Sequence, residues 1–84
     1  MDKTWSYNVQ IAPGIVAKFV IEQKGTGYNL LFDDGNATLL HSCENMAEIR
    51  SYLLTMKSVK TENASYLLDE TTIPPDLSAW TVHP

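Results

Sequence analysis

Residues 15–42 read IVAKFVIEQKGTGYNLLFDDGNATLLHS, and their punctuation decides the fold. Ile15–Glu22 is rich in β-branched and aromatic residues, the composition of a strand. Its period of two puts Ile15, Ala17, Phe19 and Ile21 on one face, with Val16, Lys18, Val20 and Glu22 on the other. Lys24-Gly25-Thr26-Gly27 marks a reversal into a strand over Tyr28–Asp33, where Tyr28, Leu30 and Phe32 share a side. Asp34-Gly35 is a type I′ hairpin signal, and Ala37–Ser42 answers as a short fourth strand. Upstream, Trp5, Tyr7, Val9 and Ile11 alternate with Ser6, Asn8 and Gln10, and Pro13-Gly14 supplies the turn into residue 15. Four strands joined by short loops predict an antiparallel meander.

After residue 42 the apolar period changes once, from two to between three and four. Met46, Ile49, Leu53 and Met56 form a helical stripe, which Tyr52 and Leu54 widen. Asn45 is the expected N-cap, with Glu48 three residues on to complete a capping-box-like arrangement. Lys57 and Lys60 fall at the expected C-terminal end, where cations favour the helix dipole. The predicted fold class is therefore α+β: a four-stranded antiparallel meander followed by one main α-helix packed on a sheet face. Residues 1–60 make this core. Residues 61–84 form a tail, with Ser65–Leu68 as a short strand or turn and Pro74–Trp80 as a single helical turn. Tyr66, Leu67, Leu68, Ile73, Leu77, Trp80 and Val82 make this tail too apolar to lie in solvent, so it is expected to wrap the body of a single domain.

Charge divides the chain at the same place. Residues 1–60 hold Asp2, Glu22, Asp33, Asp34, Glu44 and Glu48 against Lys3, Lys18, Lys24, Arg50, Lys57 and Lys60, and these cancel. Residues 61–84 hold Glu62, Asp69, Glu70 and Asp76 with no Lys or Arg, so the whole net charge of −4 sits there. The β-β-β-α element order over residues 5–57 resembles, in topology only, small modules that bind DNA or double-stranded RNA. Such modules neutralise phosphates with basic side chains, and a body with no net charge argues against that use. The opposite idea, an acidic mimic of nucleic acid, suits the sign of the tail, although the charge is mild for it.

Chemistry is thinly represented. His41 and Cys43 share a strand face, and Cys43 precedes a helix start that favours thiolate, so a thiol enzyme or redox sensor centred on Cys43 is the competing functional class. No glycine-rich elbow accompanies them, and a lone cysteine is ordinarily a small hydrophobe. A metal centre drawn from His41, Cys43 and Asp33 or Asp34 falls short of the four Cys/His ligands of structural zinc. Asp33-Asp34-Gly35-Asn36 lacks the spaced acids of a calcium loop and reads as hairpin chemistry. Asp69-Glu70 reads as a solvated pair. No catalytic residue, cofactor or metal is therefore expected.

No apolar run approaches the roughly 18 residues of a membrane span, the first residues do not resemble a signal peptide, and a single cysteine suits a reducing compartment. The expected location is the cytoplasm, where the sequons at Asn36 and Asn63 carry no meaning. One surface is left to account for. With Trp5, Tyr7, Val9, Phe19, Ile21, Leu30 and Phe32 under the helix, Val16, Val20, Leu31 and Leu40 point the other way. A solvated sheet face is normally polar, so a cover is expected: the tail by default, otherwise a second copy or another protein. The expected function is a non-enzymatic regulator, inhibitor or immunity-type protein, monomeric or homodimeric, that acts on another protein with a basic surface. Tyr66, Leu68, Leu77 and Trp80 are its candidate anchors, with Asp69, Glu70 and Asp76 steering the encounter.

Overall fold

A computed structural model describes residues 3–12, 14–61, 64–67, 73–74 and 76–83. Pro13 of the first turn signal, Asn63, Leu68, Asp69, Glu70 and Pro75 lie outside the described residues. Strands β1 (Thr4–Ala12), β2 (Ile15–Lys24), β3 (Gly27–Asp33) and β4 (Ala37–Cys43) form the expected antiparallel meander, and helix α1 (Met46–Thr55) follows it. Short strands β5 (Ser58–Lys60) and β6 (Ser65–Leu67) pair with each other in a separate two-stranded sheet. A 3₁₀ turn (Leu77–Ala79) leads to β7 (Thr81–His83), which adds antiparallel to the start of β1. The main sheet thus runs β4-β3-β2-β1-β7, which sets β1 and β7, far apart in sequence, side by side.

The turns settle their own conformations. Lys24 pairs with Gly27, leaving the two-residue loop Gly25-Thr26. Gly25 has φ +58° while Thr26 keeps a negative φ, as a type II′ turn requires of its first residue alone. The Asp34-Gly35 hairpin forms, but not as type I′. Asp33 pairs with Ala37 across a three-residue loop, and only Gly35 has positive φ (118°). Carboxylates hold this loop: Asp33 Oδ1 accepts the Gly35 N–H at 2.9 Å. Side chains that bond their own backbone two residues on compete with the I′ geometry, and here they prevail.

The core lies on one face of the sheet. Val9, Ala17, Phe19, Ile21, Leu30 and Phe32 are buried there beneath Ile49 and Leu53 of α1. Phe19 and Phe32 meet at 5.1 Å between ring centroids. Asn45 caps α1, its side chain accepting the Glu48 N–H at 3.0 Å. The helix stops at Thr55 with Met56 as C-cap, earlier than the basic pair at 57 and 60 suggested, and Lys60 belongs to β5. Leu54 also departs from the expected stripe, being 69% exposed. Lying next to Leu53 in a helix, it is turned about 100° away from the buried line.

Candidate functional site

The tail completes the core on the helix side of the sheet. Ile73 and Trp80, with Val59 of β5 just before the tail, are buried in the same cluster as Phe19 and Leu53, and Tyr66 and Leu77 pack against it. Tyr66 lays its ring 5.5 Å from Phe32 and donates its hydroxyl to Asp34 Oδ2 at 2.8 Å. Trp80 lays its ring 5.7 Å from Tyr7 on β1 and donates its indole N–H to the Pro74 carbonyl at 2.8 Å. Only 6% of Trp80 is exposed. Asp76 is exposed and caps the 3₁₀ turn, accepting the Ser78 N–H at 3.0 Å. That bond and one from the Ser78 hydroxyl hold its carboxyl below the ordinary carboxylate range, with a smaller contribution from the Arg50 charge.

Of the anchors expected from sequence, Trp80, Tyr66 and Leu77 therefore sit in or against the core, Asp76 is at the surface, and Leu68, Asp69 and Glu70 lie outside the described residues. Among the described residues, the buried part of the tail does not lie on the opposite sheet face, where a cover was expected. The described tail residues that are buried join the helix side, because Trp80 fills ground next to β1 that a ten-residue helix lying on β3 and β4 leaves open, and Ile73 joins the same cluster.

That leaves the other face as the candidate site. Register places its side chains in rows across the strands. One row runs Thr81, Ser6, Val20, Leu31, Leu39. Leu39 is 57% exposed and Val16, farther along β2, is 66% exposed. On one side of this row lie Asn8, Lys18, Asp33 and Ala37; on the other lie Thr4, Glu22, Asn29 and Ser42. Lys18 stands opposite Asp33, so the main charges of the first flank cancel locally. Ser42 Oγ donates to Asn29 Oδ1 at 2.7 Å, and Ser6 Oγ lies 3.0 Å from His83 Nε2, which ties β4 to β3 and β7 to β1. The result is an aliphatic stripe bordered by polar groups, of which Ser42 and Asn29 bond each other.

Leu39 occupies the place expected for Leu40. A bulge in β4 causes the exchange: Leu30 pairs with His41 but Leu31 pairs with Leu39. The extra residue, Leu40, packs against the core instead. One inserted residue reverses which leucine faces outward. Neither leucine of the Leu39-Leu40 pair is marked in composition, so sequence carried no signal for this.

At the edge of β4 the bulge also sets His41 opposite Leu30 and Cys43 opposite Tyr28, on the helix side. His41 stacks on Tyr52 at 5.0 Å and 10°, and its Nε2 lies 3.7 Å from Glu48 Oε2. The Cys43 thiol donates to the Asn45 carbonyl at 3.2 Å. His41, Cys43 and Glu48 thus converge, a grouping in which sequence reasoning saw the first two and missed the third. The chain matches no family model, no curated protein and no solved structure at a significant level. Among the described residues, no helix is long and apolar enough to cross a membrane.

Proposed function

We propose that this protein is a non-enzymatic regulator, inhibitor or immunity-type protein that acts by contact, docking another protein on the open face of its sheet. The supporting observation is the aliphatic row Val20–Leu31–Leu39, with Val16 beside it, on a face from which the buried tail residues turn away. An antiparallel sheet facing only water is normally polar on that side, and exposed apolar stripes rimmed by polar groups favour contact sites. The rim's opposed Lys18 and Asp33 favour a partner with a flat, apolar surface over a strongly charged one at the centre of the contact. The acidic residues of 61–84, Asp69, Glu70 and Asp76 among them, then act at longer range by steering a partner that carries basic groups around that surface. A cytoplasmic setting suits a chain with one free thiol.

The test compares capture by immobilised wild-type protein with capture by Leu39→Lys and by Leu54→Lys, the second being an equally exposed leucine on the helix. A partner held by wild type and Leu54→Lys but lost from Leu39→Lys supports the reading. Equal capture by all three would overturn it and move the contact to the helix or tail. If wild type alone sediments as a dimer, and Leu39→Lys as a monomer, the partner is a second copy of the chain. A triple change of Asp69→Asn, Glu70→Gln and Asp76→Asn should slow association at low salt and flatten its salt dependence, leaving the dissociation rate nearly unchanged.

A further inference from the structure

His41, Cys43 and Glu48 bring an imidazole nitrogen, a thiol sulfur and a carboxylate oxygen within 4.8 Å of one another. Local structure alone produces the grouping. His41 and Cys43, two apart on β4, project to the same side. The chain enters α1 just beyond them, and the Asn45 cap returns its first turn over the end of the strand. Asn45 Oδ1 accepts the Glu48 N–H, and the Glu48 carboxylate lies toward His41, 3.7 Å from its Nε2. Donors bound to one tetrahedral zinc at about 2.0–2.3 Å stand roughly 3.3–3.8 Å apart. The His41–Glu48 spacing already lies in that range, and Tyr52 holds the imidazole plane by stacking.

A surface ion pair would account for His41 and Glu48 but would not require a thiol beside them. We propose that His41, Cys43 and Glu48 bind one zinc ion, with water as the fourth ligand. Nitrogen, sulfur and oxygen donors together suit a borderline metal, whereas calcium and magnesium select all-oxygen sets. The three residues are half-buried or exposed, so the ion has a path in. Beside them a shallow recess lined by Ala47, Ser51, Tyr52 and Thr55 offers room for the bound water. On binding, the Cys43 S–H proton leaves to solvent and a sulfur–zinc bond replaces the bond to the Asn45 carbonyl. Glu48 and neutral His41 coordinate through lone pairs, with no change of oxidation state. The ion would clamp the edge of β4 to the first turn of α1, and binding only to the folded chain would raise its stability.

Cobalt(II), added alone to the reduced full-length protein, is the probe. One equivalent should produce the near-ultraviolet thiolate-to-cobalt charge-transfer band and the intense visible bands of a four-coordinate site, and one equivalent of zinc(II) should remove both. Cys43→Ser should lose the charge-transfer band. Glu48→Gln and His41→Asn should each weaken cobalt affinity by about tenfold or more, the least expected when even an outer-shell partner of a metal ligand is lost. Glu48 is exposed, so Glu48→Gln keeps the test decisive should Cys43→Ser fail to fold. Absence of the charge-transfer band from wild type at excess cobalt would overturn the site. So would a band of unchanged affinity in both Glu48→Gln and His41→Asn, which would mark adventitious binding by a single thiol.

Discussion

Phe19 and Val20 are neighbours in β2, similar in hydrophobicity and opposite in fate. Phe19 is wholly buried between Phe32, the helix and the tail, while Val20 lies partly open in the middle of an uncovered row. The two faces of one sheet thus solve different problems. Among the described residues, the helix side gathers the buried core, including Val59, Ile73 and Trp80 from beyond α1. The other side keeps four partly or largely exposed aliphatics, Val16, Val20, Leu31 and Leu39, and leaves them in water. A chain of 84 residues buries a modest core, and among the described residues Val59, Ile73 and Trp80, with Tyr66 and Leu77 packed against them, all join that single face. What stays apolar on the second face contributes little to folding and is available for contact.

If that contrast is real, truncation should separate the faces sharply. Phe19→Ala should destabilise the fold by about 3–5 kcal/mol, and Leu53→Ala by about 2–5 kcal/mol, as measured by chemical denaturation. Near-wild-type stability of both would place the core elsewhere. Trp80→Ala should cost a comparable amount, about 3–5 kcal/mol, because the indole is as much core as Phe19. A loss below about 1 kcal/mol, the usual surface level, would reduce the tail to an ornament on an independent body.

The link between tail and meander can be read by titration. The Tyr66 hydroxyl holds the Asp34 carboxyl below its ordinary value of 3.8, and the Asp34 acceptor holds the Tyr66 phenol above 10.0. Tyr66→Phe keeps the ring on Phe32 but removes the bond. The Asp34 titration, followed by carboxyl NMR, should then move upward. The contribution from Asp34 is present above pH 3.8 and is lost as pH falls through its lower folded value; that from Tyr66 is present below pH 10.0 and lost as pH rises through its higher one. The stability gap between wild type and Tyr66→Phe should therefore be flat across neutral pH and close at both extremes. A gap that widens on acidification would reverse the assignment.

The smallest effect belongs to the open face. Leu39→Ser should change stability by no more than about 0.5 kcal/mol, the usual range for exposed positions. A loss as large as that of Phe19→Ala would mean that the face is covered and is not a site.

Much of this was legible from residues alone. Alternation over residues 5–11 and 15–22, the three turn signals and the single switch to a helical stripe specified the meander and α1, because period two and period 3.6 are read directly from neighbouring residues. Asn45 was legible as the cap for the same reason: its partner, the Glu48 N–H, lies three residues away. The candidate site was legible only in part. Val16, Val20 and Leu31 follow from alternation, whereas Leu39 required the bulge between the pairs Leu30–His41 and Leu31–Leu39, which depends on how two strands slide past each other. Glu48 joined His41 and Cys43 through the direction in which α1 leaves β4, and an H-x-C-x₄-E spacing would have been the only hint.

The sequence by itself determined the meander, α1, their order and the apolar side of β1, β2 and β3, since these rest on local periodicity, turn chemistry and capping. Tertiary structure alone decided where the described residues of the tail go. Trp80 and Ile73 are apolar enough to bury against either face, and nothing within a few residues of them prefers one. Trp80 buries beside Tyr7, and Ile73 in the same core, because α1 lies over β3 and β4 and leaves the neighbouring ground near β1 unfilled, and because β7 finds the free edge of β1. That choice is a competition between distant surfaces for the same apolar residues, and it leaves the row Val20–Leu31–Leu39 exposed.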